Sequence, residues 1–245
     1  MEKTKQILVI AATIGVLLMN YFASMGYIGG ITPSYISDKY PTFLTPAGYA
    51  FTIWGWIYLG LIIFSIIQAL PSKLEKFREV RSLYIASCLA NCLWLYFWHQ
   101  QQIAVSLLVI LTLLAILAFI NLKLERENNL FARIVFGIYF GWVTVASVVN
   151  ATITLVDSGV KTSDETGIWL AVGMIIIATA LGIFLRHQLP NVAYPIAIAW
   201  AITAIAVKQS GKTAIVVTSA LAVATLLFSA LSFVLKDYQK PNEQR

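Results

Sequence analysis

Long apolar stretches separated by short polar segments run along the whole chain. A helix needs about 20 mostly apolar residues to cross roughly 30 Å of hydrocarbon, because its backbone must be satisfied within the segment. Eight stretches qualify, and they cover Ile7–Ile28, Pro46–Leu70, Ser82–Trp98, Ile103–Leu122, Phe131–Val156, Ile168–Leu185, Asn191–Val207 and Thr213–Leu235. The pattern predicts an all-α, polytopic integral membrane helix bundle with about eight transmembrane helices, of which the third and seventh are the shortest.

Basic residues predict how these spans are oriented. If the N-terminus is inside, thirteen lysine and arginine residues fall in inner segments. Only Lys39, Lys161, Lys208 and Lys212 fall in outer loops. Because cytoplasmic loops carry the excess of lysine and arginine, and this bias holds only for an even number of spans, both termini are expected to be cytoplasmic. The expected location is the plasma (inner) membrane.

Composition narrows the class of protein. Of the 245 residues, 59% are hydrophobic and 11% are charged, whereas soluble domains carry about 25% charged residues. A soluble globular protein and a disordered chain are therefore excluded, and two cysteines, Cys88 and Cys92, cannot form a disulfide scaffold. The net charge of +6 is scattered through short loops, so a nucleic-acid partner is not expected. The lipid bilayer is the first predicted partner.

Ionisable residues avoid the interior of the predicted spans. All eleven acidic residues lie in loops, tails or at helix ends, whereas buried carboxylates usually mark proton and ion pathways. Neither a Ser/His/Asp set nor a metal-spaced histidine cluster can be assembled, so no catalytic and no metal-binding residues are predicted. Neutral amides and hydroxyls do occur at depth, and most are expected to hydrogen-bond between helices. They are Asn20, Asn91, Asn150, Thr112, Thr144, Thr179, Thr203 and Ser229.

Two further local patterns concern helix packing and helix ends. Gly26 with Gly30 and Gly137 with Gly141 each form a GxxxG spacing, which permits close approach of two helices. In the seventh span, Asn191 is expected to be the N-cap. Pro195 lies about one turn further on, where a kink or an irregular start is expected.

Tryptophan is abundant and unevenly placed. Five of the seven tryptophans fall in the second, third and fifth predicted spans. Trp98 and Trp169 stand at span ends, where indoles usually anchor a helix at the membrane interface. In the fifth span, Tyr139, Trp142, Ala146 and Asn150 recur at i, i+3, i+7 and i+11 and so form one helical stripe.

The second and third spans carry similar stripes. Phe51, Trp54 and Tyr58 share one face, and Asn91 and Trp94 are i, i+3 neighbours. Three such helices could line a pocket for a flat apolar ligand through stacking and a few hydrogen bonds, although periodicity alone slightly favours an aromatic-rich packing core. The candidate ligand-binding residues are Trp54, Tyr58, Asn91, Trp94, Tyr139, Trp142, Ala146 and Asn150.

At these positions the chain resembles the TspO/MBR family, the tryptophan-rich sensory proteins related to mitochondrial translocator protein. Residues 45–51 (TPAGYAF), followed by Trp54 and Tyr58, are similar to the family's Pro-Pro-Gly-Trp-x-Phe motif and its following aromatics. Residues 91–94 (NCLW) resemble Asn-x-x-Trp. Residues 139–153 fit Tyr-x-x-Trp-x-x-x-Ala-x-x-x-Asn-x-x-Ile. The resemblance covers about residues 1–156.

The resemblance implies a TspO-like five-helix bundle over 1–156. Residues 157–245 would then form a C-terminal three-helix extension, as in long-form relatives, with a short cytoplasmic tail. It implies a sensory or receptor protein that binds a tetrapyrrole, a sterol or a similar apolar small molecule, with Trp54 (or Trp56) and Trp142 in the pocket. No cofactor is required, a tetrapyrrole being a ligand instead, and a homodimer is one implied assembly.

Two alternatives remain open from the sequence. The chain could be a membrane transporter of a small neutral or amphipathic solute, for which eight spans with a proline-broken helix would be suitable. It could also be a light-dependent porphyrin-degrading enzyme, an activity associated with some members of the family. A role without catalysis is favoured over an enzyme.

Overall fold

The computed structural model of the chain describes residues 1–40, 42–125, 129–160, 163–189 and 191–238, without the side chains of residues 34 and 233–238. Within these residues the regular structure is entirely helical. The α-helices are α1 (Glu2–Ser24), α2 (Pro33–Lys39), α3 (Ile53–Ala69), α4 (Arg78–His99), α5 (Ile103–Glu125), α6 (Leu130–Asp157), α7 (Asp164–Gln188), α8 (Ala193–Lys208) and α9 (Thr213–Tyr238).

Seven of these helices are long and apolar enough to cross a membrane. One of the seven is α3 together with the 3₁₀ turn Gly48–Thr52 that leads into it. The third span is longer than predicted, because α4 begins at Arg78 rather than at Ser82. The fully buried Arg81 lies in the first turn of α4 and donates to the carbonyl oxygens of Lys73 (2.8 Å) and Leu74 (2.5 Å). These hydrogen bonds and an ion pair to Glu2 at 3.0 Å satisfy the guanidinium of Arg81. A charged side chain is therefore tolerated in the first turn of an apolar helix.

The eighth apolar helix, α8, is shorter, with 16 residues. Asn191 precedes its N-cap, Val192, and accepts a hydrogen bond from the Ala193 amide at 3.0 Å. Asn191 also donates to the Arg133 carbonyl and the Asn121 side chain, so this non-helical residue is buried against α5 and α6. Irregular backbone is tolerated at membrane depth where protein surrounds it. Pro195 falls in the first turn of α8, where a backbone N–H would have no partner within the helix. The proline therefore removes no helical hydrogen bond and gives no reason for the predicted kink.

The sequence pattern did not predict the short helix α2. Thr32 is its N-cap and accepts a hydrogen bond from the Tyr35 amide at 3.3 Å, and Pro33 occupies the first turn. Ile36 is fully buried in a cluster with Trp98, Ile103 and Ile153. The helix α2 therefore covers one end of α4, α5 and α6.

The two predicted GxxxG spacings have different outcomes. Gly26 and Gly30 both have φ of 74° and belong to a turn after α1, so the prediction of a helix contact there is wrong. Gly141 confirms the close approach predicted for the second pair. A Cβ on Gly141 would lie 2.5 Å from the Tyr194 carbonyl oxygen and 2.8 Å from the Ala197 Cβ. The missing side chain allows α6 and α8 to pack backbone to backbone.

The first and last parts of the chain share one core. Helix α6 packs against α3, α5 and α8, while α1 packs against α3 and α4. The Ala47 amide donates to the Ala204 carbonyl at 3.0 Å, and Trp200 Nε1 donates to the Ala50 carbonyl at 3.1 Å. Helix α8 therefore holds the turn that leads into α3. The division of the chain near residue 157 stays a prediction.

Candidate ligand-binding cavity

An apolar cavity of about 290 Å³ lies among α1, α2, α3, α4 and α6. Its wall is formed mostly by aromatic and small apolar side chains, with a few neutral polar groups. The lining residues are Asn20, Ser24, Thr32, Pro33, Ser37, Pro46, Phe51, Trp54, Tyr58, Trp94, Leu95, Trp98, Trp142, Val145, Ala146, Val149 and Asn150. None of these side chains carries a charge.

Most of the residues predicted from the sequence lie in this wall. The six that line the cavity are Trp54, Tyr58, Trp94, Trp142, Ala146 and Asn150. Asn91 and Tyr139 are buried directly behind the wall. Trp54 lines the cavity while Trp56 is 70% exposed on the outer surface of the bundle. The tryptophan of α3 that faces the cavity is therefore Trp54.

Trp54 is the centre of the aromatic wall. Its ring stacks on Tyr58 with centroids 5.4 Å apart and on Trp94 with centroids 6.2 Å apart. Trp142 meets Trp54 edge to face at 6.2 Å. Offset stacking and edge-to-face contacts are the arrangements that aromatic rings prefer. Because Trp54, Trp94 and Trp142 come from α3, α4 and α6, these ring contacts join the three helices.

Trp98 is placed differently from the prediction. It is 5% exposed, stacks on Trp94 with centroids 6.0 Å apart, and donates from Nε1 to the Pro33 carbonyl at 3.4 Å. The prediction of an interfacial anchor is therefore wrong for Trp98, because α2 covers the end of α4. Trp169 is 60% exposed, as expected for a residue at the membrane interface.

A chain of neutral hydrogen bonds runs behind the aromatic wall. Asn20 of α1 donates to Asn91 Oδ1 at 2.9 Å, and Asn91 donates to the Tyr139 hydroxyl at 3.0 Å. The Tyr58 hydroxyl donates to Asn20 Oδ1. Four helices are thus joined by groups that would otherwise lie unpaired in an apolar interior.

Asn150 is satisfied separately from this chain. Its Nδ2 donates to Ser106 Oγ of α5 at 3.1 Å. The prediction of hydrogen bonds between helices is confirmed for Asn20, Asn91, Asn150 and Thr144, whose hydroxyl lies 3.2 Å from that of Tyr194. It is wrong for Thr112, Thr179 and Thr203, which donate to carbonyl oxygens of their own helices.

The comparisons with known proteins are consistent with this arrangement. The family model described as TSPO-like protein matches residues 6–233. The chain belongs to this family. The matched range extends past residue 156 and includes the last three helices as well as the first five long ones. No curated protein and no solved structure gives a significant match.

Two indole N–H groups of this TSPO-like protein are buried without a hydrogen-bond partner among the described residues. They are Nε1 of Trp94 and Nε1 of Trp142, and both side chains line the cavity. Buried N–H groups in native proteins are nearly always paired, since an unpaired one costs about 1–3 kcal/mol. Neither nitrogen is exposed to the cavity in this arrangement, so an acceptor on a bound molecule would reach them only after the indole rings move.

Several lining residues were missed by sequence reasoning. Asn20 was predicted only as an interhelical hydrogen-bonding residue, and the signal for more was its amide within an otherwise apolar first span. Thr32, Pro33 and Ser37 come from α2 and the residue before it, which the hydropathy pattern did not resolve.

Other chemistry finds no support in the described part of the chain. No three His, Cys, Asp or Glu side chains are grouped closely enough there to hold a metal ion. Cys88 and Cys92 are both free thiols, and Cys88 is buried.

Proposed function

We propose that this integral multi-pass, TSPO-like membrane protein is a receptor or sensor for a flat apolar molecule. The observation that carries the proposal is the convergence of Trp54, Trp94, Trp98 and Trp142 on one cavity, where two indole N–H groups have no partner. A packing core alone would be expected to fill this space, because protein interiors are close-packed.

The wall supports a definite ligand chemistry. Stacked indoles suit a planar, conjugated or ring-fused body, and a small rotation of Trp94 or Trp142 would let its unpaired N–H donate to an acceptor oxygen or nitrogen on that body. No charged side chain lines the cavity, so a charge on the ligand would have to remain outside it. A tetrapyrrole, a sterol or a similar molecule meets these conditions.

The size of the cavity adds a further condition. Its volume of about 290 Å³ lies at the lower end of the ~300–1,000 Å³ typical of small-molecule sites. A large tetrapyrrole would require side chains of the wall to move, whereas a smaller ring system would not.

The test is a titration of the purified protein with protoporphyrin, followed by quenching of tryptophan fluorescence. Trp142→Ala removes one aromatic wall of the cavity, and we expect at least a tenfold loss of affinity, which corresponds to about 1.4 kcal/mol. Trp56→Ala is the matched control, because Trp56 of α3 is exposed and does not line the cavity. Equal affinities for the two variants would refute the proposal. A parallel titration with cholesterol tests the sterol class.

The two alternatives are distinguishable outcomes of related measurements. Uptake of a small solute into proteoliposomes that survives Trp142→Ala would support transport. The start of α8 at Ala193 leaves Pro195 in the first turn and so removes the broken helix that suggested transport. Breakdown of bound porphyrin under illumination, lost in Trp142→Ala, would support the enzyme.

We further infer that both termini lie in the cytoplasm and that the chain resides in the plasma membrane. Lys73, Lys76 and Arg78 lie in and near the α3–α4 connection, while Lys208 and Lys212 lie at the α8–α9 connection. In a background with Cys88→Ala and Cys92→Ala, a membrane-impermeant thiol reagent should label Lys208→Cys in intact cells. It should label Lys76→Cys only after the cells are permeabilised. The reverse labelling pattern would show that the topology is inverted and that both termini lie outside the cell.

A further inference from the structure

A second cavity, of about 620 Å³, lies at the end of the bundle where the last three helices meet the first part of the chain. Its walls come from α2, the segment 42–45, the last turns of α6, the first turns of α7 and the end of α8. Among the residues that the structure describes, Ser37 alone lines both this cavity and the aromatic one. The volume of this second cavity falls within the ~300–1,000 Å³ typical of small-molecule sites.

The chemistry of this cavity differs from that of the aromatic one. Asp38, Asp164 and Lys208 all line it. Lys208 Nζ lies 2.6 Å from Asp38 Oδ1, so the pair joins α8 to α2. Lys212 lies 3.8 Å from Asp164 and over the ring of Phe43. The cavity therefore holds charges of both signs, each close to its opposite.

An apolar surface lies beside these charges. Phe43, Leu155, Val156 and Leu170 line the cavity, and Leu44 and Ala171 are buried in its wall. Hydroxyl groups of Thr42, Thr45 and Thr152 are also in the lining. A ligand that fits must combine an apolar body with polar or charged groups at one end.

Charge balance selects between ligands of different charge. The Lys208 and Asp38 side chains are 36% and 62% exposed, and ion pairs that exposed contribute little stability. A zwitterion can therefore replace the contact between Lys208 and Asp38. Its carboxylate then binds Lys208, and its ammonium binds Asp38. A ligand with only one charge would make only one of these two contacts and would leave the other side chain to solvent.

We propose that this second cavity binds a small apolar zwitterion, of the class of a branched aliphatic amino acid. The carboxylate contacts Lys208 Nζ, the ammonium contacts the Asp38 carboxylate, and the aliphatic body lies against Leu155, Val156 and Leu170. The proposal is independent of the ligand of the aromatic cavity, because only Ser37 is common to the two linings.

The test uses three probes that share one branched body and differ in charge: L-leucine, 3-methylbutylamine and 4-methylpentanoate. Radiolabelled leucine is titrated onto the purified full chain in lipid nanodiscs, and the other two compounds are used as competitors. We expect saturable leucine binding, with each singly charged analogue at least about tenfold weaker, as is typical when a hydrogen bond to a charged group is lost.

The variants Asp38→Asn and Lys208→Gln should each weaken leucine binding at least about tenfold. Lys39→Gln is the matched control, because Lys39 neighbours Asp38 on α2 but donates to Gln101 and does not line the cavity. Trp142→Ala should leave leucine binding unchanged. The absence of saturable leucine binding would overturn the proposal. Equal binding of either analogue, or full binding by both charge variants, would also overturn it.

Discussion

The hydrogen-bond chain behind the aromatic wall leads to a quantitative prediction. Asn91 is fully buried and links Asn20 of α1 to Tyr139 of α6. Asn91→Leu keeps an unbranched Cβ and a similar length but removes both bonds. Asn20 retains its bond to the Val16 carbonyl, whereas the buried Tyr139 hydroxyl loses the partner that the structure shows for it.

The loss of unfolding free energy caused by Asn91→Leu has two parts. Interhelical hydrogen bonds in membrane proteins average about 0.6 kcal/mol each, and an unsatisfied buried hydroxyl adds about 1–3 kcal/mol. We therefore expect Asn91→Leu to lower the free energy of unfolding by about 2–4 kcal/mol. The measurement is unfolding in mixed micelles by titration with SDS, followed by circular dichroism.

A double-mutant cycle isolates the physical reason. Adding Tyr139→Phe to Asn91→Leu removes the unpaired hydroxyl, so the double variant should be more stable than Asn91→Leu alone, by about 1 kcal/mol or more. Thr112→Val is a matched control, because the exposed Thr112 bonds only to its own helix at Leu108. Its effect should stay within about 0.5 kcal/mol. Simple additivity of Asn91→Leu and Tyr139→Phe would refute the reasoning.

Three further predictions test other contacts. Gly141→Ala places a methyl group 2.5 Å from the Tyr194 carbonyl oxygen and should cost about 1–3 kcal/mol, whereas Gly55→Ala, which meets nothing within 4 Å, should cost nothing in the same SDS titration. Arg81→Met breaks a buried ion pair with Glu2 and should cost about 3–5 kcal/mol, against less than about 0.5 for Arg78→Met, whose side chain is 66% exposed. Trp200→Phe removes the donor to the Ala50 carbonyl and should weaken protoporphyrin binding while Trp169→Phe leaves it unchanged; equal affinities would contradict a role for α8 in shaping the aromatic cavity.

The helices and the aromatic wall were predictable because both follow from periodicity. Hydropathy located the apolar helices, and i, i+3 and i, i+4 spacing placed Trp54, Trp94 and Trp142 on inward faces. The same reasoning identified Asn91 and Tyr139, which lie one layer behind the cavity. Periodicity assigns a residue to a face of its helix, but it does not give the depth of that residue within the bundle.

The remaining features depend on contacts between residues distant in sequence. Trp98 was assigned to the membrane interface because it ends an apolar stretch, and only the covering helix α2 makes it a buried residue. The early start of α4 depends on Arg81 finding the Glu2 carboxylate, 79 positions away. The second cavity pairs Asp38 with Lys208 across 170 positions. A local sequence pattern cannot predict contacts between residues so far apart in the chain.

The attachment of α8 to the turn before α3 has a consequence for how this protein can change over time. The turn supplies Pro46 and Phe51 to the aromatic cavity, and it is held by backbone and indole hydrogen bonds to residues 150 or more positions later. Substitutions in α8 can therefore adjust the shape of the cavity while every side chain that lines it stays the same. Evolution could alter ligand preference through the late helices alone, and an engineer could do so as well.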